Sequence, residues 1–227
     1  MDIENPVIKK IAILGGTGKE GKGLAYRWAK AGYKVIIGSR GLEKAVGAAN
    51  DLKALLGEQG EVSGCFNPDA AVEGDLIVMT VPFSVHKDML ESVKEFVQGK
   101  IFVDVTAPLV PPKVTKVQMP PAGSAAQEAQ LILGDGVQVV SAFQIISYEH
   151  LLKDEEMNCD VLVCGSSKAA RTTVLGLVKA AGLVGWDAGP IENSVVVEGM
   201  TSVLIGINKQ FGVQAAGIRI TGVPRPD

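Results

Sequence analysis

The chain has 227 residues, 47% hydrophobic and 21% charged, with a formal net charge of −3. That length supports a sizeable core, as one large domain or one domain with a small appendage. The mild negative balance argues against a nucleic-acid partner, which would show a basic face. With 27 glycines and only 5% aromatics, the composition suits an α/β protein with many tight strand-to-helix turns.

The opening MDIENPVIKK lacks a basic stretch followed by an apolar one, so no secretory leader is expected. An apolar run over 8–14 reads as a buried parallel strand. A glycine cluster follows, then a helical pattern over about 21–31, in which Leu24, Ala25, Trp28 and Ala29 share a face and Gly32 ends the helix. Residues 33–38 form a second strand, 42–56 a helix, and 60–66 a short strand or turn. The stretch 67–75 reads as a short helix with Asn67 as N-cap and Pro68 at its first position. Residues 76–81 form an apolar strand stopped by Pro82. A helix over 86–97 and a strand over 100–105 complete an alternation that argues for a parallel sheet with right-handed crossovers.

The proline-rich stretch 107–121 is neither regular helix nor central strand. It leaves the carboxyl end of a strand, where α/β proteins place ligands. Further on, 124–134 is helical, 137–143 and 158–166 are strands, and 167–182 is a helix capped by Ser166 or Ser167. The stretch SVVVEGMTSVLIGINKQFG is a long helix apolar on more than one face, as though buried, here against a second subunit. No apolar run reaches the roughly 18 residues of a membrane span. The three cysteines, Cys65, Cys159 and Cys164, lack metal-ligand spacing and read as reduced thiols of a cytoplasmic protein. Two units are expected: a nucleotide-binding domain over 1–160 and a small, mainly helical C-terminal lobe over 161–227.

Gly16-Thr17-Gly18-Lys19-Glu20-Gly21 fits G-x-G-x-x-G between a predicted strand and a predicted helix, the context that a dinucleotide site requires. Gly16 permits the tight turn, Gly18 lets a diphosphate approach the backbone, and Gly21 lets helix and strand pack closely. The helix N-terminus offers free N–H groups to the phosphates. NAD binders place a carboxylate at the end of the second strand. This chain has Ser39 and Arg40 there, with Lys44 one turn into the next helix. A hydroxyl and a guanidinium hold a 2′-phosphate that a carboxylate would repel, so NADP(H) is expected.

Neither His86 nor His150 has a helix-spaced partner for a metal. Tyr148 and Lys153 are wrongly spaced for a Tyr-x-x-x-Lys pair, and Glu155 with Glu156 reads as a solvated turn. Without an evident proton donor, the chain suits hydride passing between two bound cofactors, where positioning is the main requirement.

The segments IAILGGTGKEGKGLAYRWAKAGYKVIIGSR, TVPF, APLVP, VVSAF, DVLVCG and DAGPIENS together resemble the F420-dependent NADP reductases. The resemblance covers nearly the whole chain, including the tail GIRI. It implies a Rossmann-type doubly wound parallel sheet with a small C-terminal helical lobe, a homodimer, and hydride transfer between nicotinamide C4 of NADP(H) and C5 of the deazaflavin coenzyme F420. It also implies that Thr17 and residues 18–21 line the phosphates, and that Ser39, Arg40 and Lys44 hold the 2′-phosphate. Thr80, Val81 and Pro82 would edge the nicotinamide. The loop Ala107, Pro108, Leu109 and the segment from Ala142 to Ile146 would border the deazaflavin. Gln144 stands where the family carries His, and Ser147 where it carries Pro. Glutamine hydrogen-bonds but carries no proton. Another acceptor (a flavin, a ferric chelate or a small carbonyl compound) and a non-catalytic NADP-sensing role are the alternatives.

Overall fold

A computed structural model describes residues 7–153 and 156–226. The first six residues, with the expectation placed on them, and Glu155 of the expected acidic turn lie outside the described residues. The elements run β1 (Lys10–Leu14), α1 (Lys19–Lys30), β2 (Lys34–Ser39), α2 (Leu42–Leu56), β3 (Glu61–Phe66), α3 (Asn67–Glu73), β4 (Leu76–Met79) and α4 (His86–Val93). They continue with β5 (Ile101–Asp104), α5 (Ala125–Leu133), β6 (Gln138–Ser141), β7 (Asp160–Gly165), α6 (Lys168–Ala180), β8 (Val184–Gly189) and α7 (Ser194–Phe211).

The eight strands form one sheet in the order β3-β2-β1-β4-β5-β6-β7-β8. Successive strand residues face opposite sides, and both sides of β1 are apolar because both are covered. Ile11 and Ile13 join a core with Leu24 and Trp28 of α1, Leu52 of α2 and Leu177 of α6. Ala12 and Leu14 join another with Ala70 of α3, Leu90 of α4 and Ala129 of α5. Trp28 is fully buried, donates its indole N–H to Leu177 O at 2.9 Å, and meets the Phe143 ring edge-on at 5.7 Å. The two best-marked helix starts are capped by serine: Ser124 Oγ accepts from Gln127 N and Ser167 Oγ from Ala170 N.

Three features depart from the sequence reading. First, β7 runs antiparallel to β6. The chain returns from β6 by the long segment 142–159, so no crossover helix imposes a parallel partner. Second, β8, which no periodicity announced, pairs parallel with β7 at the sheet edge. Its two glycines and half-exposed residues hide the strand pattern. The expected boundary after residue 160 therefore falls one residue into β7. Both β7 and β8 continue the sheet, and α7 packs on it through Val197 and Leu204 against Cys164 of β7. Third, Asn67 is the first residue of α3 and does not cap it; the N-cap position is Phe66.

The proline-rich segment packs along α7. Ser202 Oγ lies 3.5 Å from Lys116 O, and a Cβ on Gly199 would meet Val117 at 3.3 Å. Val197, Glu198 and Ser202 of α7 are buried, whereas Val196, Val203, Ile207 and Phe211 remain exposed. Among the described residues, no helix is long and apolar enough to cross a membrane.

Candidate functional site

Chain order reverses across the sheet between β1 and β4, and a crevice opens at the carboxyl ends of strands on either side of such a switch. The glycine bend lies in that crevice. Gly15 (φ 69°) takes the left-handed turn. Gly16 N donates to Gly38 O at 3.1 Å, tying the bend to β2. Gly15 N donates to Asn67 Oδ1 at 3.1 Å, which is why Asn67 is buried rather than capping.

Each glycine of the motif has a distinct job. A Cβ on Gly16 would meet Ile13 O at 2.7 Å, and one on Gly21 would meet Gly16 Cα at 2.6 Å and Thr80 Oγ1 at 2.8 Å. These two are required by the protein's own packing, and neither borders the cavity. A Cβ on Gly18 would find only Gly15 O, at 3.8 Å, and Gly18 does border the cavity. Nothing in the chain needs Gly18 to be bare, so the approach it leaves open suits an outside group. Gly18 is also the N-cap of α1 and brings no side-chain cap. The amides of Lys19, Glu20 and Gly21 thus lack intrahelical acceptors and are available to a phosphate.

Ser39 ends β2, is buried, and accepts Gly41 N at 3.3 Å. Arg40 and Lys44 are exposed at the same end of the cavity. Among the described residues neither has an acidic partner within salt-bridge distance. A pair of unneutralised cations beside a hydroxyl fits a phosphomonoester. Lys19 leans the other way: its Nζ lies 3.7 Å from Glu149 and 4.7 Å from the Tyr148 ring centroid, bridging the start of α1 to the β6–β7 segment. Glu20 borders the cavity as well. Burial pushes its carboxyl up to about 8, and its Oε1 meets no protein donor. A protonated Glu20 leaves a diphosphate unopposed at neutral pH.

Thr80 donates through Oγ1 to Leu14 O at 3.2 Å, locking β4 to β1, and Thr80, Val81 and Pro82 all face the cavity. Ala107 and Leu109 do so from the proline-rich loop. Ala142 does not: it is fully buried in the core, and the wall begins one residue later, at Phe143. Phe143 holds φ 75°, rare for a bulky residue. Its neighbours fix it there. Trp28 packs on its ring, and Gln144 is anchored on both sides: its side-chain Nε2 donates to Asp104 O and Ser141 Oγ, both at 2.8 Å, and its backbone carbonyl accepts Thr201 Oγ1 at 3.1 Å. Gln144 therefore spends its donors on the scaffold.

The cavity has a volume of about 1610 Å³. Pockets for single drug-sized ligands run from roughly 300 to 1,000 Å³, so this one is larger than a single such ligand needs. It is also lined by Thr201, Leu204 and Asn208 of α7 and by Gln214 and Ala216 of the tail. Sequence reasoning missed these tail residues and Asn67; only the GIRI segment hinted that the tail mattered.

Behind the cavity lies a buried polar cluster. His86 Nε2 lies 2.7 Å from Asp104 Oδ2 and its Nδ1 lies 3.1 Å from Glu128 Oε2. Burial pulls the imidazole down, but the two carboxylates outweigh it and the net shift is upward from 6.5. Glu198 of α7 accepts the amides of Ala125 (2.6 Å) and Ala126 (3.1 Å) at the start of α5. Burial and then the Asp104 charge push it up to about 8. None of these four residues borders the cavity; His86 is a satisfied core histidine that joins α4, β5 and α5. His150 contributes its carbonyl to Arg27 Nη2 at 3.0 Å. Among the described residues no cluster could hold a metal ion.

The chain matches the protein family described as "NADP oxidoreductase coenzyme F420-dependent" over residues 10–108. It is 40% identical to the F420-dependent NADP reductase of Methanocaldococcus jannaschii over 222 residues, covering 94% of this chain and 99% of that one. With the enzyme of the same name from Methanothermobacter thermautotrophicus it shares 36% over 228 residues, covering 97% and 98%. Among solved structures, a putative F420-dependent NADP-reductase from Arthrobacter sp. FB24 superposes with a TM-score of 0.78 at 23% identity, covering 95% of this chain and all of that one.

Proposed function

The chain belongs to the family of F420-dependent NADP oxidoreductases, and on that premise we propose how its residues divide the work of moving a hydride between NADP(H) and coenzyme F420. The carrying observation is the single cavity of about 1610 Å³ running from the glycine bend to α7. The nicotinamide and the deazaflavin supply the chemistry themselves, as hydride donor and acceptor.

The chain's task is to bind, orient and exclude water. The free amides at the start of α1, over the bare Gly18, take the diphosphate. Ser39, Arg40 and Lys44 take the 2′-phosphate. Thr80, Val81 and Pro82 edge the nicotinamide, and Ala107, Leu109 and the stretch Phe143–Ile146 border the deazaflavin. No side chain need carry a proton in such a transfer, which accords with Gln144 serving as an anchor. Rigid anchoring on both sides of the gap favours close approach of two flat rings, and the apolar walls keep water out.

The protein is further proposed to act in the cytoplasm as a homodimer, without a nucleic-acid partner. The exposed Val196, Val203 and Ile207 of α7 offer an apolar stripe for a second copy. The test of the main reading is direct. Purified protein, NADPH and oxidised F420 are mixed, and the deazaflavin absorbance is followed. Bleaching that requires the protein supports the reading; NADPH binding without bleaching removes it.

A further inference from the structure

We propose that Asp160 is a positioning residue for the acceptor half of the cavity, clamping the C-terminal tail so that the tail can serve as its wall. Asp160 opens β7 and is fully buried. Its Oδ2 accepts Trp186 Nε1 and Ile220 N, both at 2.8 Å, and its Oδ1 accepts Arg225 Nη2 at 2.9 Å. Its own N–H donates to Ile218 O at 2.8 Å. Three of these four bonds go to the tail.

The tail past α7 has no helix or ladder to hold it. Besides the clamp, it is fixed by Val213 N donating to Asn208 O at 3.0 Å, Ala216 N to Asn208 Oδ1 at 2.9 Å, Ser147 Oγ to Gln214 O at 3.0 Å and Arg219 Nη1 to Asn158 Oδ1 at 3.0 Å. Ala216 and Ile218 pack on the small core of Ile145, Cys164, Val197 and Leu204. Gln214 and Ala216 border the cavity beside Asn208 and Ser147. The wall residues thus lie between their own ties and the residues that Asp160 holds, Ile218, Ile220 and Arg225, two to eleven positions further on. Hydrogen bonds to a buried charge are the strong members of such a set. Neutralising Asp160 removes an acceptor that Trp186 and Ile220 share and the charge that holds Arg225, so the tail lifts and the wall loosens.

The proposal rests on assigning the α7 end of the cavity to F420, and the experiment separates the two. In Asp160→Asn, the KM for F420 should rise about tenfold, with kcat changed less and the Kd of NADPH unchanged. A chain ending at Gly212 should show the same rise, and adding Asp160→Asn to it should do nothing more. In the absence of ligand, amides of 213–226 should exchange faster in Asp160→Asn than in the unaltered protein. Unchanged exchange overturns the clamp. So does an unchanged KM for F420, a matching loss of NADPH affinity, or a further loss in the shortened chain. If the unaltered protein binds NADPH but leaves F420 unreduced, the acceptor assignment fails, and the exchange measurement still decides the clamp. Should Asp160→Asn not fold, Arg225→Ala takes its place, with the same direction and a smaller effect.

Discussion

Replacing Arg40 with alanine tests the contact proposed to select NADP(H) over NAD(H). Arg40 is exposed, makes no ion pair with a described acidic residue, and follows the last residue of β2. Its removal therefore strands no partner and should leave the melting temperature unchanged. A hydrogen bond to a charged group contributes about 1.5–3 kcal/mol. An exposed guanidinium at a cavity rim falls at the low end, about 1.5–2 kcal/mol, because water and salt screen it. That corresponds to a loss of about 10- to 30-fold in Kd. The assay is titration of Arg40→Ala with NADPH and with NADH, following nicotinamide fluorescence. NADPH should weaken by that factor and NADH hardly at all. Raising the salt concentration should narrow the gap in the unaltered protein and scarcely affect the variant. Equal weakening of both nucleotides would refute the reasoning, since it would mean that Arg40 supports the bend rather than the 2′-phosphate.

Two glycine variants should separate binding from folding. Gly18→Ala should keep its melting temperature but lose NADPH affinity by about tenfold or more, because the new methyl group enters the phosphate approach. Gly21→Ala should lower the melting temperature, because its Cβ meets Gly16 Cα and Thr80 Oγ1; equal melting points for the two would contradict the assignment. For Glu20, whose carboxyl titrates near 8, NADPH binding should weaken as pH rises from 7 to 9 and a negative charge forms beside the diphosphate. Glu20→Gln should bind with no such slope, and a slope that survives it belongs to another group. Stability should depend on pH through Glu198, Glu20 and His86, all raised on folding. A group held above its unfolded value binds protons more tightly in the folded state. Its contribution is complete below the unfolded value and is lost as pH rises through the folded one. For Glu198 and Glu20 that window runs from 4.5 to about 8, and for His86 it begins at 6.5. Thermal melts between pH 6 and 9 should fall with pH, and Glu198→Gln should flatten the fall.

The sequence by itself determined the strands, bend and helix that carry the proposed nucleotide half. Strand, glycine bend, helix and the Ser39–Arg40 ending are contiguous, and their meaning follows from local rules: bare backbone for a close approach, free amides at a helix start, a cation in place of a carboxylate. Residues 42–56 form the expected helix to the residue because its periodicity is local too. What only the tertiary structure decided depends on contacts across long separations. Asn67 reads as a helix cap until Gly15, 52 positions away, is seen to take its oxygen. Ala142 reads as part of the wall until Phe143 is found in a left-handed conformation that places the wall one residue later. The antiparallel β7 follows from a connection without a crossover helix, and the glycines of the edge strand β8 hide its period. The tail carries no pattern of its own and takes its place from a carboxylate 60 positions earlier. Local spacing encodes the dihedral angles and faces of an element. It does not encode which buried charge a distant amide will meet, because that pairing exists only once the sheet has brought the two together.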